Sequence, residues 1–158
     1  MNIMNTVNDK IQDLISQIGP VFPDIDAVIQ TEDPSWAIQF VDELVVMIEQ
    51  LEHPDRMVFS SEIGAVTDDQ ELPVYEALLC YNLLWKDTGG VKIGLAGPKG
   101  ILIVTTELLL DGLTLMSFQE ALTNFTNIAR SLGKYVIRDK KNHSSLPNVN
   151  PHSLHLQA

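Results

Sequence analysis

The residues able to do covalent or metal chemistry are few and scattered. The single cysteine, Cys80, lies in Leu78-Leu79-Cys80-Tyr81-Asn82-Leu83, whereas a nucleophilic thiol needs an accessible, electropositive setting. A buried helical thiol is the expectation. The four histidines are His53, in a polar turn, and His143, His152 and His155, all near the end of the chain. His152 and His155 could share a metal only on a helix, which Pro151 opposes. Asp68, Asp69 and Glu71 offer oxygens to a hard cation, but capping and the helix dipole already explain acidic residues at a helix start.

Gly97-Pro98-Lys99-Gly100 lacks the spacing of a phosphate-binding loop and the helix that must follow one, so it reads as a hairpin turn. Gly89-Gly90 and Gly94 precede a strand rather than a helix and make no dinucleotide fingerprint. Asn124-Phe125-Thr126 and Asn142-His143-Ser144 match the glycosylation sequon, but without a signal peptide they are chance matches. No nucleophile, base and orienting partner assemble from this set. The expectation is a protein that is not an enzyme and holds no metal and no cofactor.

The composition bounds what such a protein can bind. A chain of 158 residues, 45% hydrophobic and 20% charged, fits one globular domain. A net charge of −11 argues against nucleic acid and anionic membranes, which draw affinity from clustered Lys and Arg. The charge is uneven: residues 1–85 carry 16 acidic and 2 basic side chains, and residues 86–158 carry 5 and 8. A solubilising acidic face explains this without a partner; steering of a basic partner is the alternative. One cysteine fits a reducing compartment. Met1–Lys10 has no basic and apolar leader pattern, and runs such as Leu44–Ile48 are too short to span a bilayer. A cytoplasmic location is expected.

The elements that must position any site follow from periodicity. Val7, Ile11, Leu14, Ile15 and Ile18 recur at helical spacing until Gly19-Pro20 stops them. After a Pro- and Asp-bearing connection, Trp36, Ile38 and Phe40 alternate as a strand. Asp42-Glu43 reverses the chain into Leu44, Val46 and Ile48, which face one way while Glu43, Val45, Met47 and Glu49 face the other. A third short strand starts at Met57-Val58-Phe59.

From Asp69 to Trp85 a second helix carries Tyr75, Leu78, Leu79, Asn82 and Leu83 on one stripe, widened by Leu84 and Trp85, and Thr88-Gly89-Gly90 ends it. An apolar surface that wide must be covered by the chain's own sheet and by something else; a second subunit is the simplest candidate. Val91, Ile93 and Leu95 form a hairpin with Ile101–Leu108. Ser117 with Glu120 reads as a capping box before Phe118, Leu122, Phe125, Ala129, Leu132 and Val136, the clearest helix of the chain. The expected fold class is α+β in the order α-β-β-β-α-β-β-α, a twisted antiparallel sheet with helices packed on it, as a homodimer. The domain covers residues 1–137, and residues 138–158 form a polar tail without apolar periodicity, expected to be disordered.

Several phrases of this order carry a family resemblance. Glu76-Ala77-Leu78-Leu79-Cys80-Tyr81-Asn82-Leu83-Leu84-Trp85, then Thr88-Gly89-Gly90-Val91-Lys92-Ile93-Gly94-Leu95, resembles the leucine-rich helix, Gly-Gly and Gly-Leu strand of the class I type III secretion chaperones. Asp42-Glu43-Leu44-Val45-Val46 and Leu110-Asp111-Gly112-Leu113 resemble two further phrases of that family. The resemblance covers about residues 5–137. Leu108-Leu109-Leu110 departs from it where many relatives have a proline, and the tail lies outside its pattern.

The resemblance implies a homodimer that binds a non-globular N-terminal segment of a secreted effector and keeps it soluble and export-competent. It places the dimer interface at Tyr75, Leu78, Leu79, Asn82 and Leu83, and the client grooves at Ile11, Leu14, Ile15, Ile18, Val45 and Met47. An ordinary core role for the first helix stands beside that reading. Val45 and Met47 share a strand face with Glu43 and Glu49, so theirs is not the fully buried face. The alternative function is a regulatory adaptor of the same fold that contacts the secretion ATPase or a transcription factor.

Overall fold

Apolar residues at every second position make a strand with one wet and one dry face, and recurrence at every third and fourth makes a helix with one apolar stripe. In the computed structural model, which describes residues 3–19, 21–32 and 34–138, these patterns meet on one side of a sheet. The elements run α1 (Ile3–Ile18), β1 (Ile25–Glu32), β2 (Ser35–Phe40), β3 (Val45–Leu51), β4 (Arg56–Gly64), α2 (Glu71–Asn82), β5 (Lys92–Leu95), β6 (Leu102–Leu109) and α3 (Leu115–Arg138). The six strands form one sheet in the order β1-β2-β3-β4-β6-β5, with every neighbouring pair antiparallel. After β4 the chain passes through α2 to the far edge and returns through the β5–β6 hairpin.

The core lies where Trp36, Ile38, Phe40, Val46, Ile48, Met57 and Phe59 meet α1 and α3. Phe118, Leu122, Phe125, Ala129, Leu132 and Val136 of α3 are all buried, as their spacing predicts. Phe59 makes edge-to-face contacts with Phe118 and Phe125 at centroid distances of 5.8 and 5.7 Å, a geometry that adds to plain area burial.

The expected element order holds, with one further strand at its start. β1 was not legible because it is an edge strand: most of its side chains are half-exposed or exposed, so no clean alternation marks it. The third expected strand extends well past Phe59, to Gly64. The second helix is shorter than its apolar run and ends at Asn82; turns carry the chain on to Gly90, whose N–H donates to the Trp85 carbonyl at 2.8 Å.

Gly89-Gly90 has a physical reason. Both residues have positive φ, 69° and 81°, which only glycine adopts freely. A Cβ on Gly89 would also meet Asn124 Nδ2 at 2.9 Å.

Three local expectations need correction. The capping box of α3 sits three residues earlier than Ser117 and Glu120. Thr114 Oγ1 accepts from the Ser117 N–H at 3.2 Å and Ser117 Oγ accepts from the Thr114 N–H at 3.0 Å; Ser117 fills the returning position that Glu or Gln usually fills. At the start of α2 the N-cap position is held by Gln70, which makes no side-chain capping bond, rather than by an Asp. Cys80 is exposed, because the inward line of α2 is Val74, Leu78 and Tyr81 and Cys80 falls on the opposite side. The expectation for residues 139–158 lies outside the described residues.

Candidate functional site

The apolar stripe of α1 turns inward. Ile11 and Ile18 are fully buried, and Leu14 and Ile15 are 6% and 5% exposed. Lys10 Nζ further ties the helix to the Leu110 carbonyl at 2.8 Å. These four residues are part of the chain's own core, the role that stood beside the client-groove expectation.

Val45 and Met47 lie elsewhere. Period-two alternation puts Val46 and Ile48 inside and turns Val45 and Met47 to the other face. They line a groove of about 870 Å³ where the beginning of β3, the end of β4 and the last turns of α3 converge, with Leu44, Ile63, Ile103 and Ile137 as its other large apolar walls. Val45 is 40% and Ile137 70% exposed.

The β3–β4 ladder stops at this groove. Its last pair is Met47 with Ser60, and Ser61 Oγ then donates to the Val45 carbonyl at 2.7 Å. Beyond that point, among the described residues, Glu62 and Gly64 pair with β6 and not with β3.

Arg130 fixes the rim. Its Nε donates to Asp42 Oδ2 at 2.7 Å and its Nη2 to Asp24 Oδ2 at 2.9 Å and Asp42 Oδ1 at 3.2 Å. The guanidinium carbon lies 5.0 Å from the centre of the Phe40 ring. The hydrogen bond from Arg130 holds the Asp42 carboxyl below its ordinary range, and the same bond raises Arg130. One side chain thus joins α3 to the loops that flank β1 and β2. Nothing in the local sequence pairs Arg130 with residues 88 and 106 positions away, so periodicity could not find it.

Helix α2 offers a second uncovered surface. Leu72, Leu79 and Leu83 are 69%, 66% and 72% exposed and Trp85 is 56% exposed. Leu72 and Leu79 are seven residues apart and Leu79 and Leu83 four, so they form one outward line. Leu72 escaped the sequence reading, although its heptad distance from Leu79 is the signal that finds it.

The expected interface residues divide. Leu79 and Leu83 face outward. Leu78 is buried, and Tyr75 packs half-buried against the core. Asn82 is occupied by its own chain: its Nδ2 donates to the Ile93 carbonyl at 3.0 Å and its Oδ1 accepts from the Ile93 N–H at 2.8 Å. It acts as a strand partner that fixes α2 to β5.

Among the described residues, no group of three or more His, Cys, Asp or Glu could hold a metal ion. No helix there is long and apolar enough to cross a membrane. What the geometry offers is apolar surface beside an open strand edge.

Residues 24–132, more than half of the chain, match the family model described as the Tir chaperone protein (CesT) family. No curated protein matches the sequence. Among solved structures, the fold is similar to that in the crystal structure of the ExsC–ExsE complex, at 16% identity over 86% of this chain and 97% of that one, with a TM-score of 0.66. It is similar to that in the HopA1–SchA chaperone–effector complex, at 10% identity over 85% and 98% of the two chains, TM-score 0.63. The Yersinia pestis type III secretion chaperone SycH in complex with a stable fragment of YscM2 gives 16% identity over 80% and 98%, TM-score 0.57. At such identities the structures share a fold.

Proposed function

The chain belongs to the Tir chaperone protein (CesT) family, and from that premise we propose that it binds a non-globular segment of a secreted effector and keeps it soluble and competent for type III export. The work is done in the bacterial cytoplasm, by a homodimer and without bond chemistry. One observation carries this reading: Val45, Met47 and Ile137 line a groove that the chain's own helices leave uncovered.

The costs of such binding explain why a groove alone is not enough. Ordering each client residue costs about 1–2 kcal/mol of backbone entropy, so a long segment needs main-chain hydrogen bonds as well as apolar contacts. An edge strand supplies them. Among the described residues β1 has a neighbour only on its β2 side, and its Val28 and Ile29 are exposed. Strand addition there gives affinity through the backbone and leaves alternate side chains to enter pockets. The outward line of α2, Leu72, Leu79 and Leu83, joins two copies, which doubles the surface one client can engage.

The test is co-expression with a secreted protein encoded nearby, followed by binding measurements on its protected segment. Val45→Glu combined with Met47→Glu should weaken that binding at least tenfold, with an unchanged near-ultraviolet circular dichroism spectrum. Unchanged affinity in the folded variant removes the groove from the reading. Retrieval of the secretion ATPase or a transcription factor, with no secreted protein, points instead to a regulatory adaptor.

A further inference from the structure

Resting on the client reading of the groove, we propose that residues 139–158 of this same chain occupy the groove between β3, β4 and α3 when no client is bound, as a tethered placeholder that a client must displace.

The first argument is the point of departure. Ile137 and Lys134, in the last turns of α3, are walls of the groove, and α3 runs to Arg138, so the segment that follows starts at the rim. Its 20 residues reach about 66 Å when extended, at about 3.3 Å each.

The second argument is chemical fit. The segment carries Leu146, Val149, Leu154 and Leu156. Leu154 and Leu156 are two positions apart, the spacing that suits one face of an extended segment, and the groove offers apolar walls such as Val45, Met47 and Ile103. Pro147 and Pro151 favour extended over helical backbone. An extended occupant also meets an open strand edge, because Glu62 and Gly64 of β4 pair with β6 and not with β3.

The third argument is charge. Residues 1–138 hold 20 acidic and 8 basic side chains, a net of −12, whereas residues 139–158 hold Asp139, Lys140 and Lys141, a net of +1, and three histidines. The charged groups lining the groove are Asp42, Glu43, Glu62, Arg130 and Lys134. Arg130 is committed to Asp24 and Asp42, which leaves Glu43 and Glu62 to meet the lysines of the segment.

Tethering makes weak contacts count. A linked segment experiences an effective concentration on the order of millimolar. With an intrinsic dissociation constant of about 0.1–1 mM it fills the groove about half to nine-tenths of the time, and the apparent affinity of a client falls by about 2- to 10-fold.

The test uses the full chain with carbon-13 labelled methionine methyl groups. Met47 reports on the groove, while fully buried Met57 and exposed Met116 serve as controls. In the variant Leu154→Asp with Leu156→Asp, the Met47 resonance shifts and those of Met57 and Met116 stay in place. A synthetic peptide of residues 139–158, added to that variant, returns Met47 toward its original position. The same variant binds the co-purifying secreted segment about 2- to 10-fold tighter than the unaltered chain. A Met47 resonance unmoved by both the substitutions and the peptide overturns the placeholder. That failure is distinct from failure of the client reading, which shows instead as client affinity indifferent to Val45→Glu and Met47→Glu.

Discussion

Helices α2 and α3 place their apolar residues differently. α3 lines up Phe118, Leu122, Phe125, Ala129, Leu132 and Val136 and buries all of them, while Glu120, Thr123, Asn127 and Lys134 lie on its exposed side. α2 has half the length of α3, 12 residues against 24, yet it carries two apolar lines. Val74, Leu78 and Tyr81 face the core, and Leu72, Leu79 and Leu83 face solvent. The chain's own sheet accounts for every apolar residue along the middle of α3. On α2 it leaves Leu72, Leu79 and Leu83 uncovered, and that line is the surface we assign to a second copy of the chain.

The sharpest way to break that contrast is to charge the outer line. If two copies pair through α2, twofold symmetry counts each side chain twice. Burial of a leucine is worth about 1.5–3 kcal/mol, so Leu79→Asp or Leu83→Asp costs the dimer about 3–6 kcal/mol, a loss of about 100-fold or more in association. Size-exclusion chromatography with light scattering should show a monomer with unchanged far-ultraviolet circular dichroism. A variant that remains dimeric, or a parent chain that is monomeric throughout, removes α2 from the interface.

The matching probe of α3 is Phe125→Ala. Phe125 is fully buried and meets Phe59 edge to face, so its loss should cost about 3–5 kcal/mol of folding stability. Urea unfolding at a fixed protein concentration measures this. A loss under about 1 kcal/mol would mean that α3 is not the packed centre of the fold.

How much of this was legible in the sequence depended on whether a pattern was local. The buried row of α3 recurs every three or four residues, and β2 and β3 alternate cleanly, so both were readable. Strand β1 was not, because an edge strand exposed on both faces has no alternation to read. The two lines of α2 were seen as one broad apolar helix, since composition records how apolar a helix is but not how a core divides it. That is why Cys80 fell on the wrong side. For α1 the stripe was found but not its destination: Ile11, Leu14, Ile15 and Ile18 suit a core and a groove equally well until the sheet is in place. Arg130 lay beyond any local reading, for its partners come together only when the fold closes.

A smaller effect separates a structural role on α2 from an interfacial one. Asn82 supplies both a donor and an acceptor to Ile93. Asn82→Ala leaves those backbone groups without their partners and should cost the fold about 1–3 kcal/mol, read by urea unfolding. Association measured on the folded fraction should change little. Weakened pairing with undiminished fold stability would return Asn82 to the interface.

The smallest effect concerns the polar end of α3, where Arg130 clamps Asp24 and Asp42. Arg130→Met keeps apolar bulk against Phe40 while removing the charge, and should cost about 1 kcal/mol at neutral pH, as expected for a networked pair of partly exposed ions. The sign of the pH dependence follows from Asp42, whose carboxyl titrates below its ordinary value of 3.8 because Arg130 bonds to the charged form. A folded-state value lower than the unfolded one contributes stability that is complete above the unfolded value and disappears as pH falls through the folded one. The gap between the parent chain and Arg130→Met should therefore be constant from neutral pH to about pH 5, narrow below about pH 4, and lose its Asp42 part at the acid end. Urea midpoints at pH 7 and near pH 2.5 give the comparison. An equal gap at both would assign the contribution of Arg130 to its packing on Phe40, and the end of α3 would then be held by the same apolar contacts as its middle.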